Sequence, residues 1–262
     1  MQWAVNCIAP AQLNTIKYLS TIGAINYVEL TLDNFVHIDP VFIVDYLAPL
    51  PIAIHIVASR FLEIDYQAKV SRAKKISTWL KPLKPLYVSD HLLEFQQQNS
   101  VHNLPGEIDY DKNRIKIINA VSEWQALLGQ QILFENHASI ASLGKHQSEF
   151  FAEMLTNTGA GLLFDFSNAY IADYNNILPI DAWSKLLFSC QYAHVGGFEI
   201  DSDSNLALDT HRKPLSPKVI EWMKKAFVSK KLTGCVVEAS TQVAKNYLLD
   251  QLTMIEHAIT PK

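Results

Sequence analysis

Eight short apolar runs recur along the chain, each followed by a segment with helical spacing. They are WAVNCIA (3–9), YVELTL (27–32), PIAIHIVA (51–58), LYVSDHL (86–92), QILFENH (131–137), GLLFDFSN (161–168), QYAHVGG (191–197) and GCVVEAS (234–240). Runs this short and this apolar read as strands buried on both faces, the pattern of a parallel sheet. Between them, 65–81 places Ala68, Val70, Ala73, Ile76 and Leu80 at roughly helical spacing, and 111–129 does so through Ile117, Ile118, Val121, Trp124 and Leu128 before stopping at Gly129. A third helix is predicted over 215–227, with Ser216 as cap and Pro217 just inside, and a last one over 241–258. Eight strands alternating with eight helical patterns predict an α/β fold, a (β/α)8 TIM barrel, forming one domain over residues 1–262. A doubly wound open sheet fits less well, because no glycine-rich turn follows the first strand.

The polar residues fall at particular places. A His, Asp or Glu stands at or near the end of the apolar stretch in the last six runs: His55 in the third, His91 in the fourth, Glu135 in the fifth, Asp165 in the sixth, His194 in the seventh and Glu238 in the eighth. In a barrel these ends converge on one face, where active sites form. Carboxylates buried together are costly unless cations neutralise them. Imidazole and carboxylate without an aligned thiolate suit iron, manganese or zinc. The segment LDTHRKP (208–214) adds Asp209 and His211, two apart, which an extended backbone would turn to the same side. These side chains exceed what one ion uses, so two or three ions bridged by a carboxylate such as Glu135 are expected. Asn168, three past Asp165, offers a carbonyl oxygen or a loop cap. Glu29 ends the second run and either faces the same mouth or bonds its neighbours. His37 reads as a solvated loop residue, His137 as pointing away from Glu135, and His102, His146 and His257 as surface.

Composition narrows the partners. A net charge of −4 provides no basic footprint for nucleic acid, and no apolar run approaches the ~20 residues that span a bilayer. The start, MQWAVNCIAP, reads as a strand without the cationic lead-in of a signal peptide. Cys7, Cys190 and Cys235 each fall in a predicted strand and read as buried free thiols of a cytoplasmic protein.

In order, YVSDHLLEF, ILFENHAS, TGAGLLFDFSNAY, AHVGGF, LDTH and VVEAS resemble the multinuclear non-haem iron-dependent oxidative enzymes, a TIM-barrel family. INYVELTLDNFVH and GEIDYD bring the likeness closest to its methanobactin-biosynthesis oxidases, and the resemblance runs from about residue 24 to 240. It implies two or three iron ions of mixed valence, with dioxygen as co-substrate. By motif the ligands are His55, His91, Glu135, Asp165, Asn168, His194, Asp209, His211 and Glu238. It also implies a substrate: a cysteine of a ribosomally made precursor peptide, converted by four-electron oxidation to an oxazolone with an adjacent thioamide. A small companion protein forms a heterodimer with the oxidase and helps to hold the peptide. Asp209 is the candidate proton acceptor. The sequence departs from the family pattern at His137 and at Arg212-Lys213, neither of them among the ligands. From the residues alone, a metal-dependent isomerase, a tri-metal endonuclease, or a metal-binding scaffold that presents a peptide stays open.

Overall fold

The computed structural model describes residues 1–97, 100–228, 232–241 and 244–259. Eight parallel strands close into a barrel: β1 (Gln2–Cys7), β2 (Tyr27–Thr31), β3 (Ile52–His55), β4 (Val88–His91), β5 (Leu133–Glu135), β6 (Gly161–Asp165), β7 (Tyr192–Gly196) and β8 (Gly234–Glu238). Each strand pairs with its sequence neighbours, and β8 returns to β1. Eight helices surround them: α1 (Leu13–Thr21), α2 (Pro40–Leu47), α3 (Tyr66–Leu83), α4 (Tyr110–Leu128), α5 (Gln147–Thr158), α6 (Phe166–Tyr174), α7 (Pro217–Val228) and α8 (Lys245–Ile259). The barrel expected from the alternation is the one observed.

Local chemistry sets the helix ends. The carboxylates of Asp65 and Asp109 accept from the amides of Ala68 and Lys112, capping α3 and α4, and Gly129 ends α4 at φ 70°. Helix α7 begins at Pro217, as its sequence predicts. Outward-facing strand residues such as Val5, Val28, Ile54, Phe134 and Phe164 pack against the helices in one continuous core. Inside the barrel, small Ala4 and Ala53 make room for the rings of Tyr27 and Tyr87, with Leu163 and Val236 filling the rest.

Two antiparallel hairpins outside the barrel were not expected: Glu94–Gln97 with Ser100–Gly106, after β4, and Phe198–Ile200 with Ala207–Asp209, after β7. The strands of the first are mostly polar and those of the second only three residues long, so neither carries an apolar run to announce it. Among the described residues, no helix is long and apolar enough to cross a membrane.

Candidate metal centre

Strand register brings the polar strand ends together. His91 pairs with Glu135 across β4 and β5, and Asp165 pairs with His194 across β6 and β7. Two groups result, His55–His91–Glu135 and Glu135–Asp165–His194–Glu238, each with one donor atom per residue within 4.8 Å of the others. Glu135 belongs to both. Its Oε2 lies 3.5 Å from each of three ring nitrogens: His55 Nε2, His91 Nε2 and His194 Nδ1.

Each side chain is held from behind. The Ser89 hydroxyl donates to the Ile54 carbonyl at 3.2 Å, so its oxygen is left to accept from His55 Nδ1 at 2.8 Å. That fixes His55 as the Nδ1–H tautomer with Nε2 turned to Glu135. Asp165 caps α6 by accepting from the Asn168 amide at 2.7 Å through Oδ1. Asn168 donates its carboxamide to Glu135 Oε1 at 3.1 Å and to the Asn136 carbonyl at 3.0 Å, which leaves its own oxygen free. Its backbone amide is what the Asp165 cap satisfies, and its carboxamide oxygen, the atom the sequence offers as a ligand, has no hydrogen-bond partner.

Asp209 and His211 arrive on the second hairpin and the loop after it. His211 Nε2 lies 2.8 Å from Asp209 Oδ1 and 3.4 Å from Glu238 Oε2. The pair does meet, but not through an extended i, i+2 backbone. His211 adopts the left-handed conformation at φ 53°, tied by its amide to the Gly197 carbonyl at 2.7 Å. Its ring lies over Gly196, where a β-carbon would come within 2.5 Å of His211 Cδ2. Lys213, unexplained by sequence, lays its carbonyl against Gly197 and its ammonium 3.2 Å from Glu199.

The electrostatics favour cations. Burial pushes His55 down to about 3, with His194 adding to the effect, and burial with the His55 charge holds His91 well below its ordinary value. Both are therefore neutral, the form that ligates metals. Burial raises Glu135 to about 7 and, with the Glu135 and Glu238 charges, holds Asp165 well above the carboxylate range. Burial disfavours charge on His194 and His211 too, but carboxylates overcome it: Glu29, Glu238 and Glu135 hold His194 high, and Glu238 and Asp209 raise His211 to about 10. The protein's own groups thus hold His194 and His211 protonated among five acidic side chains, Glu29, Glu135, Asp165, Asp209 and Glu238, and a bound metal ion would take the place of those protons. The donor set also fits metal atom by atom: Glu135 Oε2, Asp165 Oδ2, Asn168 Oδ1 and His194 Nδ1 are buried with no hydrogen-bond partner. Four such atoms at one end of the barrel are far from the norm for buried polar groups, and a shared set of cations would satisfy them. All three cysteines are free and buried, with burial raising Cys7 and Cys190 to about 12, so none offers a thiolate.

Above these groups opens a cavity of about 650 Å³, lined by His55, His91, Glu135, Asn168, Asp209, His211 and Glu238 and by apolar Ile8, Val57, Leu93 and Ile140. The model of the RiPP precursor modification enzymes MbnB/TglH/ChrH matches residues 14–259. The chain belongs to that family. Relatives include a UPF0276 protein of Psychromonas ingrahamii, 28% identical over 144 residues that make up 52% of this chain and 51% of that one. Another, from Caulobacter vibrioides, is 24% identical over 213 residues, 74% and 72% of the two chains. The chain spans about half the length of the first of these relatives. Among solved structures, D-psicose 3-epimerase has a TM-score of 0.65 at 10% identity, over 99% of both chains. Endonuclease IV of Thermus thermophilus has a TM-score of 0.60 at 15% identity, again over 99% of both. At these identities both likenesses speak to the barrel alone.

The remaining histidines separate. His37 is exposed in a turn, His257 is exposed on α8, and His146 lies 3.2 Å from Asp111 at the surface, while the side chain of His102 lies outside the described residues. His137 differs from expectation: it lines the same cavity as Glu135. Ser89 and the Gly196-Gly197 pair escaped sequence reasoning; the signal for the glycines was a doubled glycine directly after a ligand-type strand end.

His211 tests the loop-borne part of the centre. His211→Ala should lower the bound metal by about one ion per chain, because one of the few loop-supplied donors goes. Far-UV circular dichroism should be unchanged, since the side chain leaves the barrel core untouched. Full metal content in this variant would remove the loop from the centre.

Proposed function

We propose that this family member is an iron- and dioxygen-dependent oxidase acting on a cysteine of a ribosomally made precursor peptide. The product is an oxazolone with an adjacent thioamide, as in methanobactin biosynthesis. The observation that carries the reading is Glu135 Oε2, equidistant at 3.5 Å from three ring nitrogens and common to both ligand groups. A carboxylate so placed would be shared by ions held in the two groups. Family membership supports the peptide substrate.

His55, His91, Glu135, Asp165, Asn168, His194, Asp209, His211 and Glu238 would hold two or three iron ions. Bound iron supplies one-electron redox chemistry and an attachment point for the substrate thiolate. The four electrons and four protons removed from the peptide reduce dioxygen to two waters. The protein's own part is to bind, to exclude water and to take a proton. Ile8, Val57, Leu93, Ala138 and Ile140 give the cavity an apolar wall against which peptide backbone loses its water. Asp209 is the proton acceptor: its side chain is 29% exposed, against 3% for Glu135 and 8% for Glu238, so it is the ligand-type carboxylate that meets the substrate. His211 Nε2 orients it at 2.8 Å. A small companion protein would complete the peptide site as a heterodimer, and the buried free thiols fit a reducing cytoplasm.

The test is aerobic incubation of the iron-loaded protein and companion with the cysteine-bearing peptide, followed by mass spectrometry and an oxygen electrode. A peptide lighter by four hydrogen atoms, with matching oxygen uptake, is expected. An unchanged peptide mass on fully iron-loaded protein would end the reading.

A further inference from the structure

Glu29 is a fully buried carboxylate that neither ligand group includes. Strand register explains its depth. Glu29 aligns with Asn6 and Ala53, whereas Thr31, two residues nearer the mouth, aligns with His55. Side chains two apart on a strand share a face, so Glu29 lies one inward layer beneath the level of His55. It is not among the described residues that line the cavity, and a substrate there does not touch it.

Burying a carboxylate is costly unless donors satisfy it, and Glu29 has two. The Tyr87 hydroxyl donates to Oε2 at 2.6 Å, and His194 Nε2 lies 2.9 Å from Oε1 and 3.0 Å from Oε2. Tyr87 is wedged in turn against Tyr192, with ring centroids 4.4 Å apart, and edge-on to Tyr27 at 6.4 Å. A carboxylate only accepts, so Nε2 must carry the hydrogen. The other ring nitrogen, Nδ1, faces Glu135 Oε2 at 3.5 Å and Glu238 Oε2 at 3.4 Å and is a buried atom without a hydrogen-bond partner. His55 is keyed the other way, with Nδ1 bonded to Ser89 and Nε2 turned to the site. Each ring thus offers the site the nitrogen that its backing partner leaves free, Nε2 on His55 and Nδ1 on His194.

We propose that Glu29, backed by Tyr87, is a positioning residue that holds His194 as the Nε2–H tautomer and so assigns Nδ1 to the metal. This rests on His194 being a metal ligand, as proposed above. A carboxylate on the far nitrogen fixes the ring and raises its basicity, and removing such partners lowers metal affinity by roughly 10- to 100-fold. Glutamine at 29 keeps the size but loses the charge and offers an amide donor to Nε2.

The experiment uses Zn2+ alone as a diamagnetic probe. Chelator competition on Glu29→Gln should show metal bound about 10- to 100-fold more weakly than in wild type, and Tyr87→Phe should show a smaller loss. Long-range 1H–15N spectra of the Zn2+-saturated wild-type protein, labelled at histidine, read the tautomer directly and need no variant to fold. The signals absent from His194→Ala are those of His194. They should show a protonated Nε2 and a metal-bound Nδ1. A metal-bound Nε2, or Glu29→Gln affinity within twofold of wild type, overturns the inference. If His194→Ala itself binds Zn2+ like wild type, the ligand assignment fails first and takes the inference with it.

Discussion

Glu135→Gln should empty both halves of the centre while leaving the barrel folded. Asn168 donates to Oε1 at 3.1 Å, so the glutamine carbonyl takes that place. Its NH2 group then occupies the position of Oε2, 3.5 Å from His55 Nε2, His91 Nε2 and His194 Nδ1. A shared acceptor becomes a donor aimed at the lone pairs that would hold metal. Bound metal should fall below one ion per chain, and turnover should drop on the order of 1,000-fold, the scale of losing several kcal/mol of charge stabilisation. Stability without metal should not suffer. Burial raises Glu135 to about 7, so its charged form is disfavoured in place, and a neutral amide of the same shape avoids that cost. The rise in melting temperature that metal gives by binding only the folded state should vanish with the metal. Elemental analysis and thermal scans with and without Fe2+ check both halves. Wild-type metal content in this variant would refute the bridging role.

Why this much of the centre was legible in the sequence is a matter of contrast. His55, Glu135, Asp165, His194 and Glu238 each interrupt an apolar run at the point where a barrel strand reaches its mouth, and strand geometry alone carries them to one place. What was not legible depends on partners far apart in the chain. Glu29 lies 165 residues from His194, and its contact exists only because the barrel closes. Ser89 sets the His55 tautomer from the neighbouring strand, 34 residues on. Asp209 and His211 were paired by their spacing, yet the spacing argument assumed an extended backbone and the structure uses a left-handed residue at 211. The hairpin strand that delivers Asp209 is three residues long, too short for any periodicity to show. His137 shows the converse error: two residues past Glu135 it was expected to point away, although side chains two apart on an extended chain share a face, and it lines the same cavity.

That loop also carries the second large effect. Gly197→Ala should cost the centre its loop-borne ligands. A β-carbon there would lie 1.7 Å from the Lys213 carbonyl oxygen, and a backbone atom cannot swing aside as a side chain would. The 209–213 segment must lift, breaking the bond from the His211 amide to the Gly197 carbonyl. His211 then leaves Glu238 Oε2, now 3.4 Å away. Forcing extra volume into a packed contact costs roughly 1–3 kcal/mol, visible in denaturant unfolding, while the barrel ligands stay in place. Bound metal should therefore drop by about one ion per chain, the same loss expected of His211→Ala, and not by the whole complement expected of Glu135→Gln. The double variant Gly197→Ala/His211→Ala decides whether the two act through one site. If they do, its metal content equals that of either single variant, because the ligand that the glycine protects is already gone. Additive losses would mean that Gly197 supports the centre by some route other than His211.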